Sequence, residues 1–259
     1  MSLYEDWCDC VEQVDKAKRY YCYTEKSDGR AAILPGLGKL VRSHYDRLSR
    51  IEDDIAELGY PGAAKILAKR LPTRAKPRSG DLGEILASEL AEEVLDFRVP
   101  VRRMRYKDGR EVAMRGDDFI GTRFDDAGRL WLLKGESKSR KMLGKTTITE
   151  ARAALDRDSG RCTPDSLLFV ADRLLESDDP DERAFGRLIR NEVGLDSLKP
   201  DRIDHILYTL SGNAPPAAQK ADLDAAAANR NQYSVNFRIE DHQDFIALAY
   251  AEALKLGGH

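Results

Sequence analysis

The stretch Arg115-Gly-Asp-Asp-Phe-Ile-Gly-Thr-Arg-Phe-Asp-Asp-Ala-Gly-Arg-Leu-Trp-Leu-Leu-Lys-Gly-Glu-Ser-Lys-Ser-Arg140 decides how this chain reads. Asp125-Asp-Ala-Gly128 is a tight-turn sequence, and the apolar extended runs on either side of it predict a β-hairpin. Val112 to Phe124 is its first, extended limb and Leu130 to Ser137 its second. Residues i and i+2 of a strand project from one face, so Glu136 and Lys138 share a space. The turn brings Asp118 toward Glu136 across the ladder. Strand phase alone decides between Asp117 and Asp118. Mg²⁺ (or Mn²⁺) takes one or two carboxylates, keeps several waters and accepts phosphate oxygens, so two acids and a lysine suit phosphodiester cleavage.

Outward from the hairpin, Leu82 to Phe97 predicts a helix with Leu82, Ile85, Leu86, Leu90 and Val94 on one face. Glu84 falls in its first turn, as a third carboxylate for the site or as the end of an Asp81-x-x-Glu84 capping box. Val99, Val101 and Met104 begin an expected strand, followed by a turn at Lys107–Arg110. After the hairpin, Thr147-x-x-Glu150 opens a helix. Strands are expected at Ile203–Leu210 and Val235–Ile239, and a closing helix at Phe245–Leu256. Residues 1–78 read mainly as helix, from the spacing of Leu37, Leu40, Val41, Tyr45, Leu48, Ile51, Ile55 and Leu58 and a break at Gly59–Gly62. The basic, Pro-bearing stretch Pro72–Gly80 marks a boundary. It predicts a helical extension over 1–78 and an α/β domain over 79–259.

Composition narrows the class. With 259 residues, 42% hydrophobic and 34% charged, the chain is no disordered tail, collagen-like repeat or disulfide scaffold. It has no apolar run of membrane-spanning length, and its acidic start is not a secretory signal, so a cytoplasmic location is expected. Its four cysteines lack zinc-site spacing and are expected to be reduced. The net charge is −3, yet residues 98–145 carry fourteen Lys/Arg against seven Asp/Glu. A basic middle in an acidic chain fits a local polyanion site or an Arg-rich solvated surface. Arg140, Lys141 and Lys145 are candidates for backbone-phosphate contacts, with a solvated loop as the alternative. Gly144-Lys145-Thr146 is not a P-loop, because Ser139 stands where that motif needs glycine. His44, His205, His242 and His259 are scattered, and no nucleophile elbow accompanies them.

A helix with Glu84, a strand with Gly116-Asp117-Asp118, a hairpin, a strand with Glu136-Ser137-Lys138 and a following helix together resemble the PD-(D/E)XK nuclease core. More narrowly, Gly83-Glu84, Gly116-x-Asp118 and Gly135-Glu-Ser-Lys138 look like the HamA family, the effector of the Hachiman antiphage system, which works with a superfamily 2 helicase, HamB. The likeness in motifs covers residues 81–157. The proline usual before the motif aspartate is absent. The resemblance implies a restriction-endonuclease-like fold, with a central mixed sheet flanked by helices and an N-terminal helical extension. It implies that Asp118 and Glu136 bind the metal, that Glu84 is an auxiliary ligand or orienter, and that Lys138 positions water and stabilises charge on the phosphate. It also implies a DNA endonuclease, paired with a HamB-like helicase in a heterodimer, restrained by it and released on DNA sensing. The alternative is a non-catalytic nucleic-acid-binding or regulatory subunit on a degenerate nuclease core.

Overall fold

A computed structural model describes residues 3–215 and 217–256; His259 lies outside them. In chain order the elements are α1 (Leu3–Trp7), β1 (Cys8–Asp15), β2 (Lys18–Glu25), α2 (Gly29–Tyr45), α3 (Leu48–Arg70) and α4 (Ala75–Glu93). Then come β3 (Phe119–Phe124), β4 (Leu130–Arg140), α5 (Lys145–Leu155), α6 (Pro164–Leu175) and α7 (Pro180–Leu195). β5 (Ile203–Ser211), α8 (Ala217–Ala225), β6 (Gln232–Arg238) and α9 (His242–Leu254) complete the chain.

The six strands form one mixed sheet in the order β1-β2-β6-β5-β4-β3. The β1–β2 and β3–β4 pairs are antiparallel, while β2–β6, β6–β5 and β5–β4 are parallel. β5 is buried along its whole length, as expected of a central parallel strand covered on both faces. β4 shows how the two layers divide. Leu133 joins the larger core with Leu82, Ile85, Leu86, Phe237, Phe245 and Tyr250, whereas Leu132 joins a second core with Leu167, Val170, Leu174 and Ile189. Odd-numbered residues of β4 therefore face α4, and even-numbered ones face the α6 layer. A third cluster seats Ile148, Ala151 and Leu155 of α5 on Leu207. The mixed sheet flanked by helices is thus as expected.

Several boundaries differ from the sequence reading. Within residues 1–78, Cys8–Glu25 is a β-hairpin that joins the main sheet through β2 and β6. β1 is exposed along nearly its whole length, so no alternation marks it. The stretch Pro72–Gly80 is mostly the start of α4, where Ser79 Oγ donates to Ser139 Oγ at 2.9 Å. Residues 98–106 form no named strand. They make a single antiparallel bridge, Arg98 with Thr122, and then a 3-10 turn over Arg103–Tyr106. The expected break at Gly59–Gly62 is present as a kink at Gly59, whose φ is 67°. α5 begins at Lys145 rather than at the Thr147 box. All four cysteines are free, and no helix among the described residues is long and apolar enough to cross a membrane.

Candidate metal and phosphodiester site

The antiparallel β3–β4 ladder begins at Phe119 opposite Gly135, and the Asp118 N–H donates to Gly135 O at 3.1 Å. Beyond that point β4 continues without β3 beside it. The Asp118 carboxylate takes the freed edge, with its Oδ2 accepting the Ser137 N–H at 2.7 Å. Asp118 is therefore fixed at the open end of the ladder by one charge-assisted bond.

The two aspartates precede β3 and turn to different partners. Asp117 is buried among polar groups on another side. Its Oδ2 accepts the Thr163 N–H at 2.7 Å, its own N–H donates to Ser166 Oγ at 2.8 Å, and Lys134 Nζ stands 3.6 Å from Oδ1. Gly116 permits this turn. Its φ is 94°, and a Cβ there would stand 2.2 Å from Ser166 Oγ.

Glu136 and Lys138 lie on the same face of β4 and form an ion pair. Their side chains are 6% and 20% exposed, so the pair is no solvated surface bridge. Burial, and next the Asp118 charge, push the Glu136 carboxyl up to about 7, against the pull of Lys138. Asp118 is itself raised by burial, with Lys138, the Ser137 N–H and Arg103 opposing.

Glu84 arrives from the other layer. Gly83 packs on β4, where a Cβ would lie 2.9 Å from Ser137 Oγ, and so carries Glu84 to the end of the ladder. Burial and the Asp118 charge hold its carboxyl well above the usual range. The capping alternative does not hold, because α4 starts at Ala75 and Asp81 is engaged by Tyr45 and Lys107. No hydrogen bond or ion pair satisfies the Glu84 carboxylate among the described residues. Glu84 and Asp118 together line a small cavity of about 10 Å³.

Asp118 is the shared member of the constellation. Glu136 and Lys138 approach it from one sheet face and Glu84 from the helix layer on the other. Among the described residues no three His, Cys, Asp or Glu side chains stand as a ready-made metal cluster. The donor set nonetheless suits a hard cation. Burial raises all three carboxyls, and the Asp118 charge adds to it at Glu84 and Glu136; among the described residues no hydrogen-bond donor meets Asp118 Oδ1 or Glu136 Oε2. Magnesium needs only one or two such oxygens beside water.

Sequence reasoning missed Arg103. This buried guanidinium donates to Arg115 O at 2.6 Å, to Asp118 O at 2.8 Å and to Asp117 O, fixing the backbone that bears Asp118. Its position in an Arg-rich run gave no signal of that role. Lys134 could have been noticed, since it stands two residues before Glu136 on the same face. Arg140, Lys141 and Lys145 are exposed, and no ion pair joins them to the three carboxylates. Much of the basic middle is spent internally, as in Arg102 with Glu89 and Glu92, or Lys107 with Asp81. A groove of about 840 Å³ beside Phe124, Phe185 and Leu188 contains none of the three carboxylates. The converging charges mark the site better than the volume does.

A family model described as HamA matches residues 1–253. Hachiman protein HamA of Bacillus cereus is 28% identical over 170 residues, which cover 64% of this chain and 60% of that relative.

Proposed function

The chain belongs to the HamA family, and from that premise we propose that it is a metal-dependent DNA endonuclease on a PD-(D/E)XK core. It acts as an antiphage effector, restrained by a HamB-like helicase partner and released when that partner senses DNA. The observation that carries the nuclease reading is the meeting of Glu84 and the Glu136–Lys138 pair at Asp118, with no hydrogen bond or ion pair to the Glu84 carboxylate among the described residues.

Asp118 and Glu136 would hold Mg²⁺ or Mn²⁺. When bound, the ion polarises the phosphate and lowers the pKa of an attacking water. Lys138 donates to that water's oxygen and to a phosphoryl oxygen, where negative charge grows. Glu84 would serve from the helix layer as an auxiliary ligand or as an orienter. Hydrolysis joins the water oxygen to phosphorus, breaks one P–O ester bond and leaves the water's proton on the departing sugar oxygen. Arg140, Lys141 and Lys145, all exposed, would meet the backbone by charge.

The test is cleavage of duplex DNA by the purified chain with Mg²⁺ and with chelator, alone and with its helicase. Glu136→Ala and Lys138→Ala should each lower the rate about 10²-fold or more. A variant that cuts at the parental rate refutes the assignment. A second reading, a non-catalytic nucleic-acid-binding or regulatory subunit, draws on the Glu136–Lys138 pair, which already neutralises one ligand. Calorimetry showing no Mg²⁺ or Mn²⁺ binding would favour it.

A further inference from the structure

The link between α5 and α6 has an unusual backbone. Asp158 (φ 53°, ψ 40°) and Ser159 (φ 56°, ψ 32°) are both left-handed without being glycine, and Gly160 follows at φ 77°. L-residues resist this conformation, so such a run persists only where the surroundings over-determine it. Here they do. Lys134, 1% exposed, donates from Nζ to Arg157 O at 2.9 Å and to Arg161 O at 2.7 Å, one on each side of the turn. His205 Nε2 lies 2.7 Å from Gly160 O, which also accepts from buried Arg230. A Cβ on Gly160 would meet Arg230 Nη1 at 2.7 Å.

What this clamped turn positions is the side chain of Arg157. It is exposed, and no carboxylate pairs with it among the described residues. Its Nη2 stands 3.5 Å from Gly116 O, in the turn that leads to Asp118, and its Nε donates to Ala154 O at 3.2 Å. An unpaired guanidinium beside the aspartate turn leaves the rest of its donor fork free for an anion.

We propose that Arg157 is a substrate-contacting residue that grips a backbone phosphate of the nucleic acid at the Asp118–Glu136 site. The inference rests on the nuclease reading and adds a cation that no motif supplies. Lys138 is a point charge tied to Glu136, whereas Arg157 offers a planar fork that fits two phosphate oxygens.

The test is binding of a fluorescent DNA duplex by the full-length chain in chelator, over a range of salt, followed by cleavage with Mg²⁺. Arg157→Ala should weaken binding on the order of tenfold, as loss of a charge-assisted contact does. It should also reduce the slope of log K against log salt by about 0.9, as one lost phosphate contact does. Arg157→Lys should recover the slope, and Arg187→Ala, an exposed arginine on α7, should change neither quantity. An Arg157→Ala protein with parental slope and affinity overturns the inference even if the wild type cuts DNA. So does one that only melts earlier, since that would make Arg157 a clamp on Gly116. A wild type that neither binds nor cuts DNA fails the nuclease reading itself.

Discussion

At the scale of single residues, Asp117 and Asp118 are neighbours with opposite duties. Asp117 is the buried partner of Lys134, with both side chains 1% exposed. Removing one member of such a pair leaves an uncompensated buried charge, which typically costs about 3–5 kcal/mol. Asp117→Ala should therefore lower the urea midpoint strongly. Asp118→Asn keeps an oxygen to accept the Ser137 N–H and relieves the repulsion with Glu84 and Glu136. Its stability should change by about 1 kcal/mol or less, while Mg²⁺-dependent cleavage falls about 10²-fold or more. Parallel urea titrations and cleavage assays separate the two roles. If Asp118→Asn unfolds as readily as Asp117→Ala, the division of labour is wrong.

At the scale of elements, the site depends on how closely α4 approaches β4. Gly83 lies against Ser137 Oγ and the Ser139 side chain. The Ser137 hydroxyl has no hydrogen-bond partner and can turn aside, but Ser139 Cβ, 3.1 Å from the added methyl, cannot, so Gly83→Ala should cost a little stability. Gly83→Leu has no such outlet. It should cost about 1–3 kcal/mol and move Glu84 off Asp118, with cleavage falling more than stability predicts. Unfolding midpoints and rates of the two variants check this. The hairpin itself was legible in the sequence, because a two-residue period and an Asp-Asp-Ala-Gly turn are local signals. So were β5, β6 and α9, from long apolar runs. β1 was not, since a solvated edge strand has no buried face to print a period. The start of α4 was hidden too. Its Ser79 read as a linker residue and its Asp81 as a helix cap, and their partners are Ser139, Tyr45 and Lys107 from distant parts of the chain. For the site, Glu136 and Lys138 were readable from their spacing. Arg103 and the left-handed turn after α5 were not, since their partners lie far away in the sequence.

At the scale of the whole molecule, two expectations concern how the sheet holds together. Burial, with Arg230 also opposing a second positive charge, lowers the His205 imidazole to about 3 from 6.5. The unfolded chain therefore binds this proton first, and stability is lost as pH falls from about 6.5 toward 3. Its neighbour Asp204 works the other way. Burial raises its carboxyl to about 6 from 3.8, so the native chain binds that proton first, and stability rises as pH falls through that interval. The two effects oppose each other between about 6 and 4 and only the His205 loss remains below. His205→Gln should flatten the pH dependence of the urea midpoint most between about pH 4 and 3; an unchanged curve would contradict the burial argument. The second expectation concerns residues 1–78. They supply β1 and β2 to the sheet, Trp7 packs on Phe237 and Phe245, and Arg42 Nη1 donates to Glu252 O and Ala253 O at 3.2 Å. Without them β6 becomes an edge strand, and the α9 face that holds Phe245 and Tyr250 is uncovered. A fragment of residues 79–259 should therefore show no cooperative thermal transition, while the full chain melts in one. A fragment that melts cooperatively on its own would support the boundary near residue 78 as a division between folding units.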